Sequence, residues 1–122
     1  EHALHLTILV VDDDFLISMS TVDMLEDLGH RVLEANSGER ALEILGRDDI
    51  DLLITDYAMP KMTGAELASR ARQIRPDLPI LLATGYAELP QGTGLNLRRL
   101  AKPYQQRDLE AEIAKVLKQA AA

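Results

Sequence analysis

Five short apolar runs, most of them followed by a segment of helical period, constrain this chain more than any other feature. Residues 6–11 (LTILVV) are almost continuously apolar and rich in β-branched side chains, the pattern of a strand covered by helices on both faces of a parallel sheet. From Phe15 to Leu28, apolar residues at positions 15, 16, 19, 22, 25 and 28 recur at helical spacing, with Asp23, Glu26 and Asp27 between them. Gly29 then supplies a C-terminal stop. The alternation continues with a strand over 31–35, a helix over 39–45 behind the turn at Asn36, Ser37 and Gly38, and a strand over 51–55. A helix over 64–74 and a strand over 80–83 follow.

Between Thr84 and Lys102 the pattern thins, because Pro90, Gly92 and Gly94 interrupt what would be the fourth helix and leave a short or frayed one. Residues 97–101 read as a fifth strand despite Arg98 and Arg99. Residues 108–118 read as a final helix with Leu109, Ile113, Val116 and Leu117 on one face. Strands alternating with helices in this way predict an α/β domain with a five-stranded parallel sheet and right-handed crossovers. A length of 122 residues suits one domain, with a core over about 6–119. Glu1 to Ala3 and Ala120 to Ala122 read as trimmed edges of a longer protein.

Charge and composition narrow the function classes. A formal net charge of −7 opposes general affinity for nucleic acid or an anionic membrane, both of which attract an excess of Lys and Arg. The chain has no cysteine, so neither disulfides nor thiolate metal sites are available to it. Its apolar runs fall far short of the roughly 20 residues that span a bilayer. The expectation is a soluble, cytoplasmic domain. His2 and His5 near the terminus do not read as a metal pair, and His30 sits in a helix-to-strand turn that requires no role of it.

In an open α/β sheet, ligands bind beyond the carboxyl ends of the strands. Asp12 and Asp13 follow the first predicted strand, Asp56 the third, Thr84 the fourth and Lys102 the fifth. Each has an ordinary explanation taken alone: the acidic run can cap a helix, a role that suits Asp14, and Lys102 simply precedes a proline. Together they place two or three carboxylates in close quarters, which favours a divalent cation, and that all-oxygen ligand set suits Mg²⁺ better than zinc or copper. A carboxylate can act as a nucleophile toward phosphorus while a cation and a metal ion neutralise the phosphoryl oxygens. Asp56 is the candidate nucleophile, Lys102 the cationic partner and Thr84 a hydroxyl donor to the same group.

Four segments at fitting strand ends then carry a family resemblance: Val10 to Asp14; Leu53 to Pro60 with Gly64; Leu82 to Tyr86; and Ala101 to Tyr104. Together they resemble the receiver domain of two-component response regulators over nearly the whole chain. The resemblance implies a flavodoxin-like doubly wound (βα)5 fold with strand order 2-1-3-4-5. It also implies phosphorylation of Asp56 by a sensor histidine kinase or histidine phosphotransfer protein, and a monomer or weak dimer that switches partner interactions. By the same resemblance Mg²⁺ is held by Asp13 directly, by Asp12 largely through water, by Asp56 and by the backbone carbonyl of Ala58.

The sequence departs from the common receiver pattern at Arg99, three residues before Lys102, where many receivers carry a switch Tyr or Phe. The segment Ala83 to Tyr86, with Gly85 where alanine is frequent, resembles receivers of hybrid histidine kinases and some stand-alone regulators. Two rivals follow. One is a degenerate receiver serving as a phosphorylation-independent interaction module. The other is an aspartyl-nucleophile phosphatase of the haloacid dehalogenase type, against which Ala58 stands where the second Asp of such enzymes falls.

Overall fold

The computed structural model describes residues 5–85 and 97–121. Five strands, β1 (Thr7–Val11), β2 (Arg31–Ala35), β3 (Leu52–Asp56), β4 (Ile80–Thr84) and β5 (Arg98–Ala101), form one sheet in the order β2-β1-β3-β4-β5. All four pairings are parallel, with Leu9 beside Leu33 and Leu53, Thr55 beside Leu82, and Ala83 beside Leu100. This is the expected doubly wound, flavodoxin-like sheet. The helices among the described residues are α1 (Phe15–Asp27), α2 (Gly38–Arg47), α3 (Gly64–Ile74) and α4 (Gln106–Ala121). The short helix expected between Thr84 and Lys102, with Tyr86, Pro90, Gly92 and Gly94, falls on residues 86–96, outside the described residues.

Successive strand side chains point to opposite faces, so each central strand feeds two cores. Leu9, Val11, Leu53 and Ile80 face one side, where they pack with Ala41 and Leu45 of α2 and Leu67 and Ala71 of α3. Ile8, Val10, Leu52, Ile54 and Leu81 face the other, with Val22 and Leu25 of α1 and Leu109, Ile113 and Val116 of α4. The strands β3 and β4 are buried along their whole length, which explains why they read as unbroken apolar runs rather than alternating ones. The edge strands β2 and β5 expose part of theirs.

Helix ends follow local chemistry. The Asp14 carboxylate accepts from the backbone N–H groups of Leu16 and Ile17, confirming it as the cap of α1. Thr63 and Glu66 form a reciprocal capping box at the start of α3. Gly29 ends the α1 turn with φ of 98°.

The helix expected over Phe15 to Leu28 is present as α1, but its apolar residues do not all turn inward. The apolar residues of α1 do not form a single buried stripe: Phe15 is 68% exposed, Leu16 73% and Met19 43%. The inward face is made by Ser18, Thr21, Val22 and Leu25. Two hydroxyl residues occupy core positions, and three large apolar ones face outward at the end nearest Asp12.

Candidate functional site

The sheet order brings the ends of β1 and β3 side by side, and with them three acidic residues. Asp56 is the last residue of β3 and Thr84 the last of β4, each one position inside the strand rather than just after it as expected. Asp12 follows β1, and its N–H continues the pairing with β2 by donating to the Ala35 carbonyl at 3.2 Å. Asp12 and Asp56 are each 5% exposed, whereas Asp13 is exposed. Asp12, Asp13 and Asp56 can each offer a carboxylate oxygen such that the three lie within 4.8 Å of one another, and this is the cluster of possible metal ligands among the described residues. Of the two histidines near the N-terminus, His5 is exposed and His2 lies outside the described residues.

Packing carboxylates together inside protein is costly unless something compensates. Burial pushes the Asp12 carboxyl above its ordinary value, with Asp56 and Asp13 adding to the rise. The Asp14 N–H, donating to Asp12 Oδ1 at 2.8 Å, and Lys102 act against it. Lys102 supplies the positive charge: its Nζ donates to Asp56 Oδ1 at 2.6 Å and lies 4.0 Å from Asp12 Oδ2. Its backbone N–H donates to the Thr84 carbonyl at 2.9 Å, so β5 delivers the lysine along the β4 edge. The Lys102–Pro103 peptide is cis.

The loop after β3 is held closely. The Tyr57 N–H donates to the Ala83 carbonyl, and the Gly64 N–H donates to the Tyr57 carbonyl at 2.8 Å. Between them, Met62 N–H donates to the Pro60 carbonyl across Lys61, whose φ is 70°, closing a tight three-residue turn. Ala58 lies exposed in this loop. Gly64 marks a point of close approach, because a Cβ there would overlap the Asp56 carbonyl oxygen and come within 2.8 Å of Leu82 Cδ1.

The five polar candidates therefore all sit at the carboxyl end of the sheet, Asp12, Asp13, Asp56 and Lys102 in one cluster and Thr84 one residue beyond the register partner of Asp56. Arg99 is exposed, while Arg98 pairs with Glu112 of α4 at 2.6 Å. Sequence reasoning missed a link next to the lysine. The Tyr104 hydroxyl lies 2.7 Å from Thr21 Oγ1, joining the loop before α4 to α1 across 83 positions of sequence. No local pattern signals a contact of that separation.

With this geometry in place, comparison with known proteins is decisive. A family model described as the response regulator receiver domain matches residues 8–114. The chain belongs to the receiver domain family. This receiver is 40% identical over 114 residues to the response regulator receiver protein CpdR of Brucella abortus (strain 2308), covering 90% of this chain and 95% of that one. It is 38% identical to the transcriptional regulatory protein CpxR of Escherichia coli (strain K12), covering 91% of this chain but 49% of CpxR. Among solved structures, a receiver domain protein from Clostridium thermocellum superposes with a TM-score of 0.86 at 30% identity, over 95% of this chain and 96% of that one. The receiver thus resembles both a protein of about its own length and one half of a longer regulator. Among its described residues no helix is long and apolar enough to cross a membrane.

Proposed function

We propose that Asp56 accepts a phosphoryl group from a phosphohistidine of a sensor histidine kinase or histidine phosphotransfer protein. A carboxylate oxygen of Asp56 attacks phosphorus, the phosphorus–nitrogen bond breaks, and the departing imidazole nitrogen takes a proton. The arrangement that carries this reading is a buried carboxylate at a strand end, with an ammonium 2.6 Å away and two further carboxylates beside it. Lys102, already paired with Asp56, turns to the oxygens of the incoming group, and the Thr84 hydroxyl donates to another of them. Asp12, Asp13, Asp56 and the Ala58 carbonyl are the residues that would hold Mg²⁺, and the close approach of three carboxylate oxygens fits an ion of that kind. When bound, Mg²⁺ supplies neutralisation of phosphoryl charge.

Water later attacks the aspartyl phosphate in line and restores the carboxylate. The chain is then a signalling domain rather than an enzyme with an external substrate, and phosphorylation changes the surface its partners meet. The same reading makes it a single receiver unit, monomeric or weakly dimeric, in the cytoplasm. It neither binds nucleic acid nor meets the membrane directly.

The test is exposure to radiolabelled acetyl phosphate with Mg²⁺. Wild type takes up base-labile label in near-stoichiometric amount, and Asp56→Asn takes up none. An unlabelled wild type would sink the reading and favour a phosphorylation-independent interaction module. Rapid multiple turnover would point to a phosphatase instead.

A further inference from the structure

We propose that Tyr104 is a positioning residue for Lys102, acting through its hydrogen bond to Thr21. The proposal rests on the phosphoacceptor reading of Asp56 for its functional consequence, and on geometry alone for the contact.

In the order β2-β1-β3-β4-β5, the strand that delivers Lys102 is separated from β1 by two others. The backbone ladder therefore ties Lys102 to β4, through its N–H to the Thr84 carbonyl, but does not tie it to the β1–α1 side where Asp12 and Asp13 begin. That tie is made by side chains. Thr21 is 1% exposed, and its hydroxyl donates to the Ile17 carbonyl at 3.0 Å. Its single proton being spent, Thr21 Oγ1 can only accept from Tyr104, which is the donor at 2.7 Å. One turn further along α1, the Gln106 side-chain amide donates to the Met24 carbonyl at 3.0 Å and to the Asp27 carboxylate at 2.9 Å.

Two points on one face of α1 thus grip the chain just after Lys102. The Tyr104 ring packs against the core cluster that includes Val22 and Leu25, and burial raises the phenol above its usual range, which keeps it protonated as a donor. Since α1 starts directly after the acidic cluster, the grip registers the ammonium loop against the carboxylates. A lysine has a flexible four-carbon stem, so fixing its backbone narrows the volume its Nζ samples. Reaction rates respond steeply to small losses of such placement.

The test compares wild type with Tyr104→Phe, which keeps the ring, Thr21→Val, which keeps the shape, and the double variant. Each single change is expected to slow labelling of Asp56 by acetyl phosphate about 3- to 10-fold, as loss of one hydrogen bond allows. The double variant is expected to be no slower than the slower single one, because both remove the same bond. Mg²⁺ affinity by calorimetry should stay unchanged. The ¹⁵N-detected ammonium signal of Lys102, sharp when Nζ is held against Asp56, should broaden in Tyr104→Phe.

Labelling at the wild-type rate, losses that multiply in the double variant, or a parallel fall in Mg²⁺ affinity and folding stability would each overturn the proposal. If wild type takes no label, the functional reading fails and the ammonium signal alone decides: unchanged in Tyr104→Phe, it overturns the positioning role; broadened, it supports it.

Discussion

His30 shows how a residue without chemistry can still carry a condition on the fold. Its Nδ1 accepts the Leu6 N–H at 3.1 Å, so it ties the entry of β1 to the start of β2. That bond needs a neutral imidazole. Burial lowers the His30 pKa, and the neighbouring His5 lowers it further. A histidine depressed in the folded state binds fewer protons folded than unfolded, so stability rises with pH through that window. The contribution is complete above the ordinary value of about 6.5 and is lost as pH falls through 6.5 toward the depressed folded value. His30→Asn retains an acceptor and does not titrate. The melting temperature of wild type should therefore fall relative to that of His30→Asn between about pH 7.5 and about pH 5. A difference independent of pH would show that folding does not depress the His30 pKa and would sink this account.

At the scale of elements, two glycines separate tight packing from plain helix propensity. Gly64 opens α3 against the Asp56 carbonyl, and an added Cβ would meet backbone there, which cannot swing aside. Gly64→Ala is expected to cost about 3 kcal/mol or more in denaturant unfolding, at or beyond the upper range for overpacking. On the proposed reading of Asp56 as phosphoacceptor, it should also slow labelling by acetyl phosphate by displacing the loop after Asp56. Gly46 lies within α2 with nothing within 4 Å of a Cβ, so Gly46→Ala should stabilise by about 0.5–1 kcal/mol through helix propensity and a less flexible unfolded chain. Equal effects at the two positions would contradict this account.

The elements also show what a sequence makes legible. The strands β1, β3 and β4 are buried on both faces and announce themselves as continuous apolar runs; because Asp12 follows β1 while β3 and β4 end on Asp56 and Thr84, most of the candidate site was readable with them. Periodicity placed α1 but not its buried face, since it counts apolar residues without knowing which side the sheet lies on. Phe15, Leu16 and Met19 fit the helical period and still face outward. The bond from Tyr104 to Thr21 and that from Leu6 to His30 were invisible, because they exist only once distant segments have packed.

For the whole molecule, the proposed role of the acidic cluster in holding Mg²⁺ sets function against stability. Asp12 is nearly fully buried, and its carboxyl is pushed upward by burial first, then by Asp56 and Asp13, despite the opposing Asp14 N–H and Lys102. A carboxyl raised in the folded state works in the direction opposite to most: its ionised form is better tolerated unfolded, so it lowers stability near neutral pH, and the penalty fades as pH falls from its folded value to the ordinary one. Asp12→Asn keeps an oxygen to accept the Asp14 N–H and removes the charge, so the metal-free domain should melt higher than wild type at neutral pH. Mg²⁺ should reverse the ranking, since an ion that binds the folded state alone adds about 2.7 kcal/mol at 100 times its dissociation constant. Wild type is expected to gain several degrees on adding Mg²⁺ and to lose them with a chelator, while Asp12→Asn responds weakly. Thermal melts of both proteins, with and without Mg²⁺, decide the matter. A variant that melts below wild type in chelator would show that Asp12 does not strain the free domain, and one that gains as much from Mg²⁺ would show that Asp12 does not help to hold the ion.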